Sequence, residues 1–330
     1  MSHGIPKLEG RTAIITGAAS GIGRQLAIQL AGHGAHLALV DIDEAGLAAL
    51  RDQLGSAGRV SLHTADVSNR EAMAALAPEV AAAHDQLHIL INNAGIGYEA
   101  AFPQTDLDAF DRVLGINLWG VIHGCHFFMP YLAKADAAHI VNMSSLFGFV
   151  GMPGQTAYCA SKYAVRGLSE ALWEELRTTT VGLTVVHPGG VATNIMKTSG
   201  GDDPELMAYL ASWYEDNAYP PDRAAGHIIT AIRRGKRRLL ITPEATFADL
   251  ARRLMPVWGN KIVADLFIRV LKLEHMRKIR SDQWQRTMVD AAPDQGAASF
   301  ASPSTADEFA SPSAPDQGAA SFASPSTADE

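Results

Sequence analysis

The stretch TAIITGAASGIG at residues 12–23 decides the fold class of this chain, because it joins an apolar strand to a helix through a glycine-rich turn. Apolar or β-branched residues precede the first glycine, and alanine and leucine recur at helical spacing in RQLAIQLAG afterwards. Glycines permit the tight turn and let backbone amides approach a pyrophosphate, which the N-terminus of the helix attracts. The pattern predicts a dinucleotide-binding turn whose candidate residues are Gly17, Ser20, Gly21, Ile22 and Gly23.

An acidic residue stands where the next strand should end. Asp41 closes HLALVD, eighteen residues after Gly23. A carboxylate there can accept hydrogen bonds from the adenosine ribose, and it would repel the 2′-phosphate of NADP by on the order of several kcal/mol. No Lys or Arg occupies residues 18–20 or 42 to offset that charge. We therefore expect NAD as the cofactor.

Apolar, β-branched runs alternate along the chain with stretches rich in alanine and leucine at helical spacing. This alternation predicts an α/β fold of the Rossmann type, a doubly wound parallel sheet of about seven strands with helices on both faces. We expect it to occupy residues 1–245. The candidate strands are TAIITG (12–17), HLALVD (36–41), VSLHTADV (60–67), LHILINNAG (87–95), HIVNMSS (139–145), LTVVHPGG (183–190) and RRLLITP (237–243).

A serine, a tyrosine and a lysine in the middle of the chain have a spacing that suggests acid–base chemistry. Residues four apart share one helix face, so Tyr158 and Lys162 should project into the same volume. A phenol is a poor base at neutral pH, and an adjacent ammonium favours its ionised form. Ser145, at the end of the fifth strand, can donate a hydrogen bond to a substrate oxygen and stabilise developing negative charge.

Several separate motifs together resemble the short-chain dehydrogenase/reductase family, in the family's order, over about residues 8–245. They are TGxxxGIG, the Asp66–Val67 pair, NNAG at 92–95, Asn117, Ser145, YxxxK at Tyr158 and Lys162, and PG at 188–189. The resemblance implies that Tyr158 exchanges a proton with an alcohol or ketone while hydride moves to or from the nicotinamide. It also implies that Lys162 holds the nicotinamide ribose and that Asn117 positions a water linking the lysine to solvent.

The same resemblance implies further cofactor contacts along the carboxyl ends of the strands. It places Asp66 and Val67 near the adenine. The segment that begins at Pro188 should surround the nicotinamide, with Thr193 at its carboxamide. We treat His187 as structural, because no metal-ligand spacing such as HxxxH occurs and we expect no metal. The full set comprises Asp66, Val67, Asn93, Ala94, Gly95, Tyr158, Lys162, Pro188, Gly189, Val191 and Thr193.

A long apolar segment between Thr193 and Pro221 corresponds to the part of the family that covers the substrate. We expect residues 194–220 to form a lid, and we expect substrate contacts from Phe147, Met152, Met196 and Trp213. The alternative is that these side chains only pack the lid, since apolar residues usually pack. The sequence favours a bulky hydrophobic secondary alcohol or its ketone as the substrate.

The C-terminal part departs from the alternating pattern. Residues 246–290 suggest two or three helices, and residues 251–290 carry nine Lys or Arg and four acids. Three explanations stay open for this segment: packing against the domain or a partner subunit, contact with a membrane surface, or a roof over an apolar pocket. Residues 291–330 repeat one unit poor in large apolar residues, so we expect them to be disordered.

Composition narrows the class of protein. The formal charge is -8, and the first 250 residues are at -7, whereas a general nucleic-acid binder should have a basic body. Only two cysteines occur and no signal peptide is visible, so we expect a cytoplasmic protein without a disulfide framework.

The resemblance to the family implies a homodimer or homotetramer. A non-catalytic NAD sensor and a membrane- or partner-docking protein on the same fold remain alternatives.

Overall fold

The structure is a computed structural model, and it describes residues 4–56, 58–193, 195, 199–201 and 203–271. Seven strands form one parallel sheet in the order β3-β2-β1-β4-β6-β7-β9. They are β1 (Thr12–Thr16), β2 (His36–Asp41), β3 (Val60–Thr64), β4 (Ile89–Asn92), β6 (Ala138–Met143), β7 (Val181–Pro188) and β9 (Arg238–Ile241). The predicted fold class and strand number are confirmed.

Ten α-helices are described, and most of them connect these strands. They are α1 (Gly21–Gly32), α2 (Glu44–Leu54), α3 (Arg70–Ala83), α4 (Leu107–Leu114), α5 (Gly120–Leu132), α6 (Thr156–Glu175), α7 (Pro204–Asn217), α8 (Pro221–Arg234), α9 (Pro243–Leu254) and α10 (Trp258–Val270). The predicted C-terminal helical segment begins three residues earlier than expected, because Thr242 caps α9 and Pro243 occupies its first turn.

Two apolar layers cover the sheet, which explains why β1 and β4 are buried along their whole length. One layer contains α1, α2 and α8, with side chains such as Leu26, Leu50 and Ile228. The other contains α3, α5 and α6, with side chains such as Phe128 and Val165. Strands buried on both faces become continuous apolar runs, which is why the sequence shows them clearly.

The strand order reverses direction between β1 and β4, where successive connections leave on opposite sides of the sheet. A crevice outside the carboxyl ends of the strands is expected at such a point, and it is the usual ligand site of open parallel sheets. A second, small pairing joins β5 (Tyr98–Glu99) to β8 (Gly200–Gly201). It ties the segment before α7 to the segment after β4.

The elements after β6 and β9 form two further clusters. Helices α9 and α10 pack on the segment that follows β6, through Phe149, Ala248 and Val263 among others. Helix α7 packs its Leu206 and Leu210 against Leu271, at the end of α10. Met196, residues 272–290 and the repeated tail 291–330 lie outside the described residues.

Candidate active site

A cavity of about 960 Å³ lies at the carboxyl ends of the strands. Residues that follow β1, β2, β3, β4, β6 and β7 all line it. At one end are the glycine-rich turn and Asp41, and further along are Tyr158 and the apolar side chains of α7 and α10. The volume is large enough to hold a dinucleotide with a second small molecule beside it.

The glycine-rich turn has the backbone conformation that its sequence predicts. Gly17 and Gly21 have φ of 65° and 53°, a region that favours glycine. A Cβ at Gly23 would collide with the carbonyl oxygen of Gly17, so α1 and the turn could not pack as closely with a side chain there. Ser20 caps α1 without a side-chain hydrogen bond, and no acidic residue lies in its first turn. The turn therefore fits a pyrophosphate.

Asp41 is held in place by backbone donors. Its Oδ2 accepts from the N–H of Ala19 at 2.9 Å, and its Oδ1 accepts from the N–H of Asp43 at 3.1 Å. The side chain lines the cavity next to the glycine-rich turn. Each carboxylate oxygen can accept more than one hydrogen bond, so these contacts orient Asp41 without consuming its capacity for ribose hydroxyls.

The residues after β3 and β4 complete the same end of the cavity. Asp66, Val67, Asn93, Ala94 and Gly95 all line it. The amide of Asn93 donates to the carbonyl oxygens of Thr16 and Gly17 at 3.0 and 3.1 Å, which fastens the glycine-rich turn to β4. Asn93 therefore shapes the turn with its side chain.

Ser145, Tyr158 and Lys162 meet at the centre of the cavity. Ser145 follows β6, and its side chain lies close enough to that of Tyr158 to lower the pKa of the phenol. The Ser145 Oγ also accepts from the N–H of Phe147 at 3.1 Å, which fixes the rotamer. One helical turn later, the Lys162 Nζ lies 5.5 Å from the centre of the Tyr158 ring and donates to the Met143 carbonyl at 3.0 Å.

The segment after β7 closes the cavity beside this group. Pro188, Gly189, Val191 and Thr193 line it. Thr193 approaches the glycine-rich turn, because a Cβ at Gly21 would lie 3.1 Å from the Thr193 side chain. The segment is held by main-chain bonds to Tyr219, which accepts from Ala192 N–H at 2.9 Å and donates to Gly190 at 2.8 Å.

A family model described as short chain dehydrogenase matches residues 11–203 of the chain. The chain belongs to the short-chain dehydrogenase family. SadH of Mycobacterium tuberculosis, provisionally named an oxidoreductase, is 38% identical over 263 residues, which cover 78% of this chain and 95% of that protein.

Solved structures of two similar proteins share the fold. A short-chain dehydrogenase/reductase from Burkholderia phymatum in complex with NAD superimposes with a TM-score of 0.69 at 31% identity, over 75% of this chain and 96% of that one. Levodione reductase superimposes with a TM-score of 0.64 at 26% identity, over 71% and 96% of the two chains.

The protonation states in this dehydrogenase differ from the simple expectation that Lys162 makes Tyr158 a usable base. Burial raises the pKa of Tyr158 to about 12, and the hydrogen bond from Ser145 opposes that shift only in part. Burial also lowers the pKa of Lys162 to about 8. Desolvation is the largest influence on both groups, and in this form of the site Tyr158 is a protonated acid at neutral pH.

Asn117 supports the dehydrogenase site from behind its wall. Its side chain is fully buried in a π-helical turn (Gly115–Trp119), a feature often found near functional sites. The amide exchanges two hydrogen bonds with the backbone of Ile96, at 2.8 and 2.9 Å, and donates to Ser161 at 3.1 Å. A Cβ at Gly95 would lie 3.1 Å from its Oδ1 and 3.4 Å from the Lys162 Nζ. Asn117 is thus near the lysine, and its amide is already engaged with the protein.

The predicted substrate contacts divide into two groups. Phe147 and Met152 line the cavity, and the Phe147 ring lies edge-on to Tyr158 with centroids 6.2 Å apart. Trp213 does not reach the cavity, because it packs against the cluster formed by α7 and Leu271. Its neighbour Tyr214 lines the cavity instead. Met196 lies outside the described residues.

Several lining residues of the dehydrogenase have no sequence motif that would have revealed them. Leu206 and Leu210 of α7 line the cavity together with Ile268 of α10 and Leu271, so the C-terminal helices contribute to its roof. Glu99 and Gln155 also line it, and the Gln155 amide donates to the Glu99 carboxylate. The packing of α9 and α10 on the domain favours two of the explanations for the C-terminal segment, namely packing against the domain and a roof over the pocket.

His187 has a structural position. It is fully buried, and its Nδ1 is hydrogen-bonded to the Ser145 carbonyl at 2.9 Å.

Proposed function

We propose that this protein is an NAD(H)-dependent dehydrogenase that interconverts a hydrophobic secondary alcohol and its ketone. The observation that carries the proposal is the presence of Ser145, Tyr158 and Lys162 in the wall of one cavity, between its dinucleotide end and its apolar walls. A proton donor and acceptor in that position can act on an oxygen whose carbon faces the nicotinamide.

The chain's own groups have separate roles in the proposed reaction. When bound, the oxidised cofactor NAD would supply the hydride acceptor for oxidation, and its reduced form NADH would supply the hydride donor for reduction. In reduction, Tyr158 donates its proton to the ketone oxygen, and the raised pKa keeps that proton available at neutral pH. Ser145 Oγ accepts from Phe147 N–H, and its single hydrogen, directed at Tyr158 in this structure, can turn to the reacting oxygen when a substrate is bound. Lys162 stabilises the phenolate that forms.

The carboxylate of Asp41 supports a preference for NAD over NADP. It lies in the cavity wall with both oxygens oriented. Arg24, the cation closest in sequence to the turn, donates to the Ala19 carbonyl at 3.4 Å and to Gln53 at 2.8 Å. The 2′-phosphate of NADP would therefore meet the negative charge of Asp41.

Replacing Asp41 with Asn should weaken the discrimination against NADP. We expect the kcat/KM ratio of NADP to NAD to rise at least about tenfold, because the like-charge repulsion is removed while the amide oxygen can still accept one of the two backbone bonds. Steady-state kinetics with both cofactors would measure it. The control Asp52→Asn removes the same charge from an exposed position on α2. An unchanged ratio in Asp41→Asn would refute the assignment.

The roof of α7 and α10 supports a hydrophobic substrate. Leu206, Leu210, Ile268 and Leu271 add apolar walls to Phe147 and Met152. The similar levodione reductase is named for the reduction of levodione, which agrees with a reductase activity in this fold.

An NAD(H) absorbance assay over alcohols and ketones of graded size would test the substrate class. Each methylene group buried against these walls contributes about 0.8 kcal/mol, so kcat/KM should rise up to about fourfold per added methylene until the cavity is full. Linear and alicyclic secondary alcohols should both follow this trend. A preference for small polyols of matched length would contradict the proposed substrate class while leaving the cofactor assignment intact.

A further inference from the structure

Helix α7 directs one row of side chains towards the cavity. Leu206, Leu210 and Tyr214 follow one another at intervals of four residues, and all three line the cavity. The opposite face of the helix is exposed and carries Glu205 and Ser212. Helix α7 is therefore an amphipathic cover, and neither it nor any other described helix is long and apolar enough to span a membrane.

Tyr214 is the polar member of this row. Within the described part of the chain its hydroxyl has no hydrogen-bond partner. The two nearest tyrosines in sequence differ, because Tyr209 donates to the Leu271 carbonyl at 3.0 Å and Tyr219 pairs with His227 at 3.0 Å. A substrate that fills the cavity would bury the Tyr214 hydroxyl, and a buried tyrosine hydroxyl usually has a partner. The substrate itself can supply that partner.

The backbone that follows α7 fixes the position of Tyr214. A Cβ at Gly190 would lie 3.1 Å from the Tyr214 Cε1, so the ring rests against the segment that follows β7. Tyr219 N–H donates to the Gly190 carbonyl at 2.8 Å, and the Tyr219 carbonyl accepts from Ala192 N–H at 2.9 Å. These bonds fasten the end of α7 to the segment that we expect beside the nicotinamide.

Tyr214 is also a close neighbour of Tyr158. Burial has the largest effect on the pKa of Tyr214 and raises it, and the neighbouring Tyr158, Glu99 and Glu244 raise it further. The pKa of Tyr158 is raised to about 12. Both phenols therefore keep their protons at neutral pH, so the same cavity offers two phenolic donors.

We propose that Tyr214 donates a hydrogen bond to a second oxygen of the substrate, so that the preferred substrate is a ketone with an apolar body and a further acceptor oxygen. This choice rests on the proposed function, in which Tyr158 acts on the first oxygen. Leu206 and Leu210 cover the apolar body. A ketone that lacks the second oxygen would bury the Tyr214 hydroxyl without a partner, and that cost selects against it.

Matched pairs of ketones test the proposal. Methoxyacetone and its homologues place one to four carbons between the carbonyl carbon and an ether oxygen, which accepts hydrogen bonds only. In each partner ketone a methylene group replaces that oxygen. For the homologue whose ether oxygen reaches the phenol, Tyr214→Phe should lower the kcat/KM ratio of methoxyketone to partner at least about tenfold. Steady-state reduction with NADH measures the ratio.

The matched control is Tyr219→Phe. It removes a hydroxyl that pairs with His227 and that lies outside the cavity, and it leaves the main-chain bonds of Tyr219 in place. The ratio should stay at the wild-type value. An unchanged ratio in Tyr214→Phe for every homologue, or an equal fall in Tyr219→Phe, would overturn the proposal. Weaker NADH binding by Tyr214→Phe with an unchanged ratio would assign the phenol to the cofactor and overturn it as well.

Calorimetric titration separates this proposal from the proposed function. The same ketones are titrated into protein saturated with NAD, which cannot reduce them. Relative to the partner ketone, the methoxyketone should bind to Tyr214→Phe at least about tenfold more weakly than to the wild type. This difference without turnover of any ketone would leave the Tyr214 contact standing and remove the proposed function. Turnover of both members of every pair with no difference between the variants would do the reverse.

Discussion

Tyr158→Phe is expected to lower kcat by at least about a hundredfold, the usual lower scale for losing a general acid or base. The ring still packs against Phe147, so the cavity keeps its shape, and only the group that exchanges a proton with the substrate oxygen is removed. The bonds that Lys162 makes are unaffected. NADH binding should therefore remain close to that of the wild type.

Kinetics in both directions and titration of NADH fluorescence would measure these two effects. Tyr163→Phe is the matched control, because it removes a phenol from a half-exposed position of the same helix. It should change kcat little. If Tyr158→Phe kept more than a tenth of wild-type turnover, or if both variants lost activity equally, Tyr158 would not be the proton donor.

Lys162→Met is expected to lower kcat on the order of a hundredfold at neutral pH. A unit charge 5.5 Å from the phenol ring contributes about 3 kcal/mol at an effective dielectric constant of about 20. The ammonium is present below pH of about 8, where the lowered pKa of Lys162 still leaves it protonated. Met retains most of the side-chain volume, so the change is chiefly one of charge.

The pH dependence of alcohol oxidation would distinguish this electrostatic role from a packing role. Removing a positive neighbour raises the pKa of Tyr158, and oxidation needs the ionised phenol, so the rising limb of the profile should move to higher pH. Lys134→Met is the control, because Lys134 lies over the ring of Tyr131 at 5.4 Å in a similar pair outside the site. A uniform loss at every pH would contradict the electrostatic role.

Local sequence patterns were sufficient for the sheet and for the dinucleotide end of the cavity. Strands buried on both faces are apolar throughout, and the φ of Gly17 and Gly21 are conformations that glycine reaches most easily. Asp41 was predictable because it follows a strand directly. In each case the residues that determine the feature lie within one short segment of the chain.

The substrate end was harder to predict because it depends on contacts between distant segments. Which of Trp213 and Tyr214 faces the cavity depends on the rotation of α7, and that rotation is set by its packing against Leu271. Glu99 and Gln155 are 56 residues apart and carry no motif. The pKa of Tyr158 could not be anticipated either, since it depends on how the folded chain surrounds the phenol.

The hydrogen-bonded pair of Glu99 and Gln155 gives the substrate end a polar wall among mostly apolar ones. A ketone with two unlike substituents can offer either prochiral face of its carbonyl carbon to the nicotinamide. The two orientations exchange the substituents between the polar wall and the apolar roof, so their energies differ. Reduction of such a ketone should therefore yield the two enantiomers of the alcohol in unequal amounts.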